Sequence, residues 1–315
     1  MSANHPGTDR SPSLVDKVCM VTGATGGMGR AISTDFARRG GTVVLVARTR
    51  ASGEDARAFI VAATGNPRVQ VLTADLADQA SIRHLAEQFQ EHHDQLHVLV
   101  NNAGAHFRDR ALSVDGIEMH LAVNHLSWFL LTRLLLDPLE ASAPARIVNI
   151  GSQSMADTRQ VKIRRRPRPA TLDLADPNSE HNFQPMAVYA TAKLEMLMCS
   201  YALARRLIGT GVTVNTAHPG ITATNIVDAI SAPALKPFLG VVKRFLLTPE
   251  QGAQAAIHLA TAPELETTTG RYFIKQTQAR SPEVSYNTAL QEQLWAASSD
   301  LVGLPRWPDP AEDAR

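Results

Sequence analysis

Two side chains one helical turn apart are the residues of this 315-residue chain best suited to move a proton. Tyr189 and Lys193 are four positions apart at the start of an apolar helical run, so we expect both on one face of a helix. A free phenol, with a pKa of ~10, is a poor acid–base catalyst at neutral pH, but a neighbouring ammonium lowers that pKa. The pair predicts a proton donor and acceptor; the alternative is an exposed Tyr and Lys on an amphipathic helix.

A glycine-rich turn near the start of the chain has the sequence context of a phosphate-binding loop. The apolar run Val18–Thr22 is followed by Gly23, Gly27 and Gly29, and then by a helical pattern. Because glycine permits positive φ and a close backbone approach, a pyrophosphate can contact the N–H groups at the start of that helix. The spacing predicts a dinucleotide site, against the alternative of a merely tight connection between strand and helix.

The end of the next apolar run indicates which dinucleotide binds. Residues 41–47 predict a buried strand that ends at Arg48. An acidic residue at such a strand end binds the ribose hydroxyls, whereas a basic one accommodates the extra phosphate of NADP. Arg48, with Arg30 just beyond the last glycine and Arg50 as a further candidate, predicts a phosphate clamp; the alternative is a solvated arginine.

Further apolar runs predict strands along the rest of the chain, at 69–73, 97–100, 146–150, 211–216 and 270–274. Polar residues follow several of them: Asp75, the string Asn101-Asn102-Ala103-Gly104, and Ser152. Because open α/β sheets bind ligands at the carboxyl ends of their strands, these positions are candidate site residues. Asp75 has a second interpretation, as the cap of a helix at 79–91.

The glycine turn, the N-N-A-G string and the Tyr189/Lys193 pair together resemble the short-chain dehydrogenase/reductase superfamily. The resemblance runs from about Val18 to the region of Gly303, and residues 123–132 are similar to the retinol dehydrogenase and carbonyl reductase group. It implies a single-domain α/β fold, a doubly wound parallel sheet of the Rossmann type. About seven strands in the order 3-2-1-4-5-6-7 would have helices on both faces.

The resemblance also implies catalytic roles. Tyr189 would give a proton to a carbonyl oxygen that Ser152 holds, with Ser154 in that place if the register is shifted by two. Lys193 would lower the pKa of Tyr189 and anchor the cofactor ribose. Asn124 would kink its helix and hold a proton-relay water.

The cofactor implied is NADP(H). The Pro-Gly turn 219–220 would close over the nicotinamide, Thr224 would contact its carboxamide, and Asp75 would lie beside the adenine. The full set of expected cofactor contacts is Gly23, Thr25, Gly27, Met28, Gly29, Arg30, Arg48, Asp75, Leu76, Asn102, Ala103, Gly104, Tyr189, Lys193, Pro219, Gly220, Thr222 and Thr224.

The reaction implied is hydride transfer between the nicotinamide and a carbonyl or secondary alcohol. An apolar segment at 222–247 would be the substrate lid, so a bulky lipophilic substrate is expected: a polyketide, steroid, terpenoid or retinoid-like molecule. The alternative is a dinucleotide-binding sensor or scaffold that has the fold without turnover. The complete set Asn124, Ser152, Tyr189 and Lys193 favours catalysis.

Chain organisation is predicted as one domain at 15–304 between flexible tails at 1–14 and 305–315. An insertion at 156–184 separates Ser152 from Tyr189, and its part 159–168 carries six basic residues and a proline. This segment is either a solvated loop or a mobile flap over the substrate mouth.

Composition narrows the partners. A net charge of +1 gives no attraction to nucleic acid, and 44% hydrophobic with 19% charged residues suits a packed core. No apolar run reaches the ~18 residues of a membrane span, and the first residues lack a signal-peptide core, so we expect a cytoplasmic protein. Cys19 and Cys199 are expected as packed thiols, and no metal site is predicted. The sequence leaves open whether the chain forms a homodimer.

Overall fold

One eight-stranded sheet organises the residues that the computed structural model describes, which are 12–158, 169–220 and 246–307. The strands are β1 (Val18–Thr22), β2 (Thr42–Ala47), β3 (Val69–Thr73), β4 (Val98–Asn101), β5 (Ala145–Ile150), β6 (Val212–His218), β7 (Arg271–Ile274) and β8 (Thr277–Ala279). Their order in the sheet is β3-β2-β1-β4-β5-β6-β7-β8, and the pairings among the first seven strands are all parallel, so the predicted order is confirmed.

The eighth strand was missed by the sequence analysis. It pairs antiparallel with β7 after a tight turn in which Lys275 has a φ of +57°. Its three residues are polar or small and mostly exposed, so no alternating apolar pattern marks them.

Helices cover both faces of the sheet, as the doubly wound prediction requires. They are α1 (Gly27–Arg38), α2 (Arg50–Thr64), α3 (Gln79–Gln90), α4 (Met119–Leu121), α5 (Ser127–Leu134), α6 (Leu136–Glu140), α7 (Pro185–Arg206), α8 (Pro249–Thr261) and α9 (Thr288–Leu301). A π-helical turn, Ala122–Leu126, joins α4 to α5.

Alternation along the strands divides the core into two layers. In β1, Cys19 and Val21 pack with α1, α2 and α8 on one face, whereas Met20 packs on the other face with α3, α5, α7 and α9. This is the side-chain period of two expected for a strand that is buried on both faces. The two layers hold the carboxyl ends of the strands at one edge, where the predicted site residues lie.

Helix α7 places the Tyr189/Lys193 pair in the interior. Pro185 occupies its first turn, where the missing N–H costs no hydrogen bond. The helix packs against β6, α9 and the π-helical turn, and Tyr189 and Lys193 are only 5% and 3% exposed. The alternative of an exposed Tyr and Lys is therefore wrong.

The domain extends slightly beyond its predicted limits. Leu14, placed in the N-terminal tail, is buried and its N–H bonds to the carbonyl of Arg39. Trp307, placed in the C-terminal tail, packs on the core, and its carbonyl accepts a hydrogen bond from Arg206.

Within the described ranges, Cys19 and Cys199 are buried free thiols, as predicted. No helix in these ranges is long and apolar enough to cross a membrane. The same residues contain no group of three or more His, Cys, Asp or Glu side chains arranged to hold a metal ion.

Candidate active site

The glycine turn between β1 and α1 is tight enough that glycine is required. Gly23 and Gly27 have positive φ values of +63° and +51°. A Cβ atom on Gly29 would lie 2.2 Å from the carbonyl oxygen of Gly23 and 2.6 Å from Nδ2 of Asn102. Gly26 precedes α1 without a side-chain cap, so the first N–H groups of the helix are available to an anionic ligand.

The N-N-A-G string is fixed to this turn by hydrogen bonds. The hydroxyl of Thr22 accepts from the N–H groups of Asn102 and Ala103, both at 3.0 Å. The Asn102 amide donates to the carbonyls of Thr22 at 2.9 Å and Gly23 at 3.2 Å. The ends of β1 and β4 therefore form one rigid floor, which explains why the two motifs occur together.

A cavity of about 620 Å³ opens over this floor, within the usual size range of ligand sites. Its lining contains eleven of the predicted cofactor residues: Gly23, Thr25, Gly27, Met28, Gly29, Arg48, Asp75, Leu76, Asn102, Ala103 and Gly104. Glycine backbone, a helix N-terminus and a basic side chain are the groups that bind a dinucleotide, so the residues present fit that cofactor.

The predicted phosphate clamp is only partly assembled. Arg48 lines the cavity at the start of α2, beside the hydroxyls of Thr49 and Ser52. Arg30 instead lies over the ring of Phe59, 4.6 Å from its centroid. The Phe59 ring offers the Arg30 guanidinium an apolar, electron-rich partner, so the convergence of Arg30 on Arg48 stays a prediction.

The third candidate, Arg50, also turns away from the cavity. It donates to the carbonyl of Val71 at 2.9 Å and lies 3.7 Å from Glu54. A carbonyl of the edge strand and a carboxylate one helical turn away hold it on the surface of α2. The cavity therefore has Arg48 and the two hydroxyls at the start of α2 as its candidate phosphate ligands.

Asp75 is not the helix cap. Asp78 caps α3 by accepting from the N–H groups of Ala80 and Ser81. The Asp75 carboxylate accepts only from Ala77 N–H among the hydrogen bonds of the described residues, at 2.9 Å, and it lines the cavity. Its side chain is therefore placed for a ligand.

Asn124 lies in the π-helical turn, the irregularity predicted at this position. Its Oδ1 accepts from Ala105 N–H at 3.0 Å, and its Nδ2 donates to the carbonyls of Ala105 and His120 at 2.8 and 3.2 Å. Because π-turns interrupt the regular helix hydrogen bonds, an amide can satisfy the freed carbonyl. Asn124 thus ties the helix to the loop that follows Gly104.

Ser152 follows β5 and is associated with Tyr189. A hydrogen bond from the Ser152 side chain lowers the pKa of Tyr189, while the Ser154 hydroxyl donates to the Ser152 hydroxyl at 2.9 Å. Ser154 therefore holds the Ser152 hydroxyl in place through this hydrogen bond. This arrangement favours Ser152, and not Ser154, as the hydroxyl beside the phenol.

The pKa of Tyr189 moves in the direction opposite to the expectation. Burial raises it to about 12, and the Ser152 hydrogen bond only partly offsets this. Lys193 does not counteract the burial, since its own pKa is lowered to about 8 by burial and its Nζ donates to the carbonyl of Ile150 at 3.0 Å. Loss of hydration on burial destabilises the phenolate of Tyr189 more than the nearby lysine stabilises it.

Gly104 brings the remaining groups together. A Cβ atom there would lie 3.0 Å from Oδ1 of Asn124 and 3.2 Å from Nζ of Lys193. Gly104 also lines the cavity. The catalytic candidates and the dinucleotide cavity therefore share a boundary.

A buried Glu–His pair beside Tyr189 was missed by the sequence analysis. Nδ1 of His120 lies 2.8 Å from Oε1 of Glu118, and its Nε2 accepts from Phe107 N–H at 2.9 Å. Both side chains are fully buried, and the His120 and Tyr189 ring centroids are 6.2 Å apart. The sequence did contain a signal for this pair, because two ionisable residues, Glu118 and His120, stand just before an apolar run that must be buried.

The predicted residues after β6 and in the insertion fall partly outside the described ranges. Thr222 and Thr224, the lid to residue 245 and the basic segment 159–168 lie outside the described residues. Pro219 and Gly220 follow the end of β6, with a φ of +95° at Gly220. The described part of the insertion packs on the domain: Ala170 is buried, and Thr191 donates to the carbonyl of Thr171.

Comparison with known proteins gives the family. The family profile described as short chain dehydrogenase matches residues 17–162. Human retinol dehydrogenase 12 is 36% identical over 294 residues, which cover 93% of this chain and 88% of that relative. The chain belongs to the short-chain dehydrogenase family, and it is accordingly an oxidoreductase of the class that acts on CH–OH groups.

Solved structures show the same architecture. An uncharacterized protein from Mycobacterium paratuberculosis matches with a TM-score of 0.74 at 25% identity, covering 95% of this chain and 98% of that one. The Pseudomonas aeruginosa RhlG/NADP active-site complex matches with a TM-score of 0.64 at 26% identity, covering 83% and 95%. The nicotinamide dinucleotides that this family uses suit the cavity described above.

Proposed function

We propose that this protein is an NADP(H)-dependent oxidoreductase that interconverts a carbonyl and a secondary alcohol on a bulky lipophilic substrate. The observation that carries the proposal is the meeting of Tyr189, Ser152, Asn124 and Lys193 at the boundary of a dinucleotide cavity. A binding protein without turnover has no need to bury a tyrosine and a lysine beside a serine at this edge of the sheet.

The bound nicotinamide supplies or accepts the hydride. In the reducing direction Tyr189 gives its proton to the substrate oxygen, and with a pKa of about 12 the phenol holds that proton throughout the neutral range. Ser152 donates a hydrogen bond to the same oxygen. After proton transfer, the Ser152 hydroxyl stabilises the phenolate, because a hydrogen bond to the charged form favours it.

Lys193 and Asn124 fix the backbone around these groups. Lys193 holds the end of β5 through the Ile150 carbonyl, and its pKa of about 8 leaves it mostly charged at neutral pH. Its charge would also attract the hydroxyls of the cofactor ribose. Asn124 fixes the peptide of Ala105, which keeps the loop after Gly104 against the cavity.

Arg48 is the basis for proposing NADP(H) in preference to NAD(H). A guanidinium beside the start of α2 provides a bidentate donor together with a helix N-terminus, both of which favour a phosphate. The RhlG structure contains NADP, which agrees with this choice without deciding it for the present chain.

A lipophilic substrate is proposed from the walls beside Tyr189. Phe107 and Phe183 contact the His120 ring at centroid distances of 5.2 and 6.0 Å, and the same ring lies 6.2 Å from that of Tyr189, so aromatic side chains cluster beside the phenol. The similarity to retinol dehydrogenase 12, a protein named for a lipophilic alcohol, supports the same class.

The test is cofactor-coupled turnover. Purified protein should oxidise NADPH in the presence of members of a panel of lipophilic aldehydes and ketones, and the Tyr189→Phe variant should not. The sensor alternative predicts NADPH binding without consumption across the whole panel.

A further inference from the structure

The loop that follows Gly104 holds one histidine against the catalytic tyrosine. The ring centroids of His106 and Tyr189 are 5.7 Å apart with an interplanar angle of 63°, and those of His106 and His120 are 5.4 Å apart. The His106 ring is therefore in contact with the ring of Tyr189, whose hydroxyl would donate the proton.

This position is enforced by the peptides on both sides of His106. Asn124 bonds to the N–H and the carbonyl of Ala105, and Nε2 of His120 accepts from the N–H of Phe107. Glu118 in turn orients His120 through its Nδ1. With both flanking peptides bonded to buried side chains, the loop offers little freedom to move His106 away from Tyr189.

The polar atoms of His106 are unused. Among the described residues neither Nδ1 nor Nε2 has a hydrogen-bond partner, although both nitrogens are buried. Burying polar atoms without partners costs free energy, and such groups call for an explanation other than packing. A half-turn about the Cβ–Cγ bond exchanges ring nitrogens with ring carbons, so the ring can direct its nitrogens to either side without loss of the ring contacts.

The charge state of His106 restricts the ligand. Burial, and then the neighbouring His120 and Arg108, lower the pKa of His106 to about 4, so the imidazole is neutral at physiological pH. A neutral imidazole has one N–H donor and one nitrogen acceptor. It suits a hydroxyl or a carbonyl oxygen better than a carboxylate or phosphate.

We propose that His106 is a specificity-determining residue that binds a second oxygen of the substrate, a hydroxyl or carbonyl a few bonds from the reacting carbonyl carbon. The preferred substrates are then lipophilic hydroxyketones or diketones, as opposed to compounds with a single oxygen. This inference rests on the proposed oxidoreductase function and narrows its substrate class.

Matched ketones and matched variants test it. Benzoin and benzil carry a second oxygen next to the reacting carbonyl, whereas deoxybenzoin has the same skeleton with one oxygen. The variant His106→Phe keeps an aromatic ring against Tyr189 and removes both nitrogens. His106→Asn keeps a donor and an acceptor close to the backbone, and His84→Phe, at a side chain that is 66% exposed, is the control.

The wild type should prefer benzoin and benzil to deoxybenzoin in kcat/KM. His106→Phe should lose roughly 10- to 100-fold on the two-oxygen ketones and change little on deoxybenzoin, because a site that bonds a substrate oxygen discriminates through that bond. His106→Asn should recover part of the loss, and His84→Phe should match the wild type. NADPH affinity and melting temperature, measured on every variant, should stay near the wild-type values.

Equal losses on all three ketones, or no loss in His106→Phe, would overturn the role of His106 while leaving the oxidoreductase function intact. A loss of melting temperature in His106→Phe that His106→Asn shares would also overturn it, since it would make His106 a packing residue. If the wild type consumes NADPH neither with these three ketones nor with any other carbonyl compound, the proposed function and this inference are both overturned.

Discussion

Burial decides the chemistry of the residues at the centre of the site. A tyrosine with a pKa of about 12 is a poor base at neutral pH, but it is fully protonated and therefore ready to act as an acid. The phenol therefore carries the proton that the proposed carbonyl reduction requires. The lysine that the sequence assigned to lowering this pKa is itself buried and engaged with a backbone carbonyl.

Removing the Tyr189 hydroxyl should nearly abolish turnover. Tyr189→Phe preserves the buried ring and its contacts with His106, while the loss of a general acid typically costs ~10²–10⁴-fold in rate. NADPH binding, followed by fluorescence titration, should change little. Near-normal kcat in this variant would show that another group gives the proton.

Arg48 should decide between the two nicotinamide cofactors. Arg48→Asp should favour NADH over NADPH, because each charge-assisted bond to a phosphate is worth ~1.5–3 kcal/mol and an aspartate repels that phosphate. Arg30→Ala is the matched control, since Arg30 contacts the Phe59 ring. The prediction is checked by kcat/KM ratios for the two cofactors, and a wild type that uses both equally would refute it.

At the scale of elements, the glycine turn makes α1 and β4 one unit. Gly29→Ala would place a methyl group 2.2 Å from a backbone carbonyl, which a side-chain rotation cannot relieve. We expect a loss of about 1–3 kcal/mol in the free energy of unfolding, as for other overpacked sites. Denaturant titration without cofactor measures it.

Gly26→Ala is the control for that loss. A Cβ at Gly26 would have no neighbour within 4 Å among the described residues, and its φ of −162° is open to any residue. Its cost should stay below about 1 kcal/mol, typical of a change at a helix N-cap. Equal losses in the two variants would mean that the close approach at Gly29 is not what fixes the turn.

Helix α7 should also make stability depend on pH. Burial, with the nearby Glu118, raises the pKa of Glu195 from 4.5 to about 8. Between these values the folded state keeps a proton that the unfolded state has released, so this contribution to stability is present at low pH and is lost as pH rises through 8.

Glu195→Gln should remove that dependence. Its melting temperature relative to the wild type should rise steadily from pH 4.5 to pH 8, because glutamine cannot ionise inside the helix packing. Glu91→Gln, at an exposed position, should show no such trend. A constant difference between Glu195→Gln and the wild type over this range would contradict the raised pKa.

For the whole molecule, local sequence patterns predicted those features that depend on interactions between residues close in the chain. Apolar runs located seven strands, and α8 begins at Pro249 after a local cap in which Thr248 and Gln251 bond reciprocally. The glycine spacing predicted the cavity floor. These features follow from periodicity, backbone sterics and local hydrogen bonds, all of which are legible in a single sequence.

Long-range contacts account for what the sequence analysis missed. The partner of Arg30 is a phenylalanine in another helix, and the pKa of Tyr189 depends on the packing around α7. The Glu118–His120 pair acquires its meaning only when the loop after Gly104 folds over it. Residue types alone carried no information on these distances.

We propose that the whole assembly transfers a hydride from a nicotinamide to a carbonyl carbon while Tyr189 supplies the proton. The most direct measurement uses NADPH carrying deuterium at the transferable position, a ketone that the wild type consumes, and mass spectrometry of the alcohol. We expect one deuterium on the carbinol carbon with the wild type and almost no alcohol with Tyr189→Phe. An alcohol without deuterium, or labelled alcohol formed equally fast by Tyr189→Phe, would contradict it.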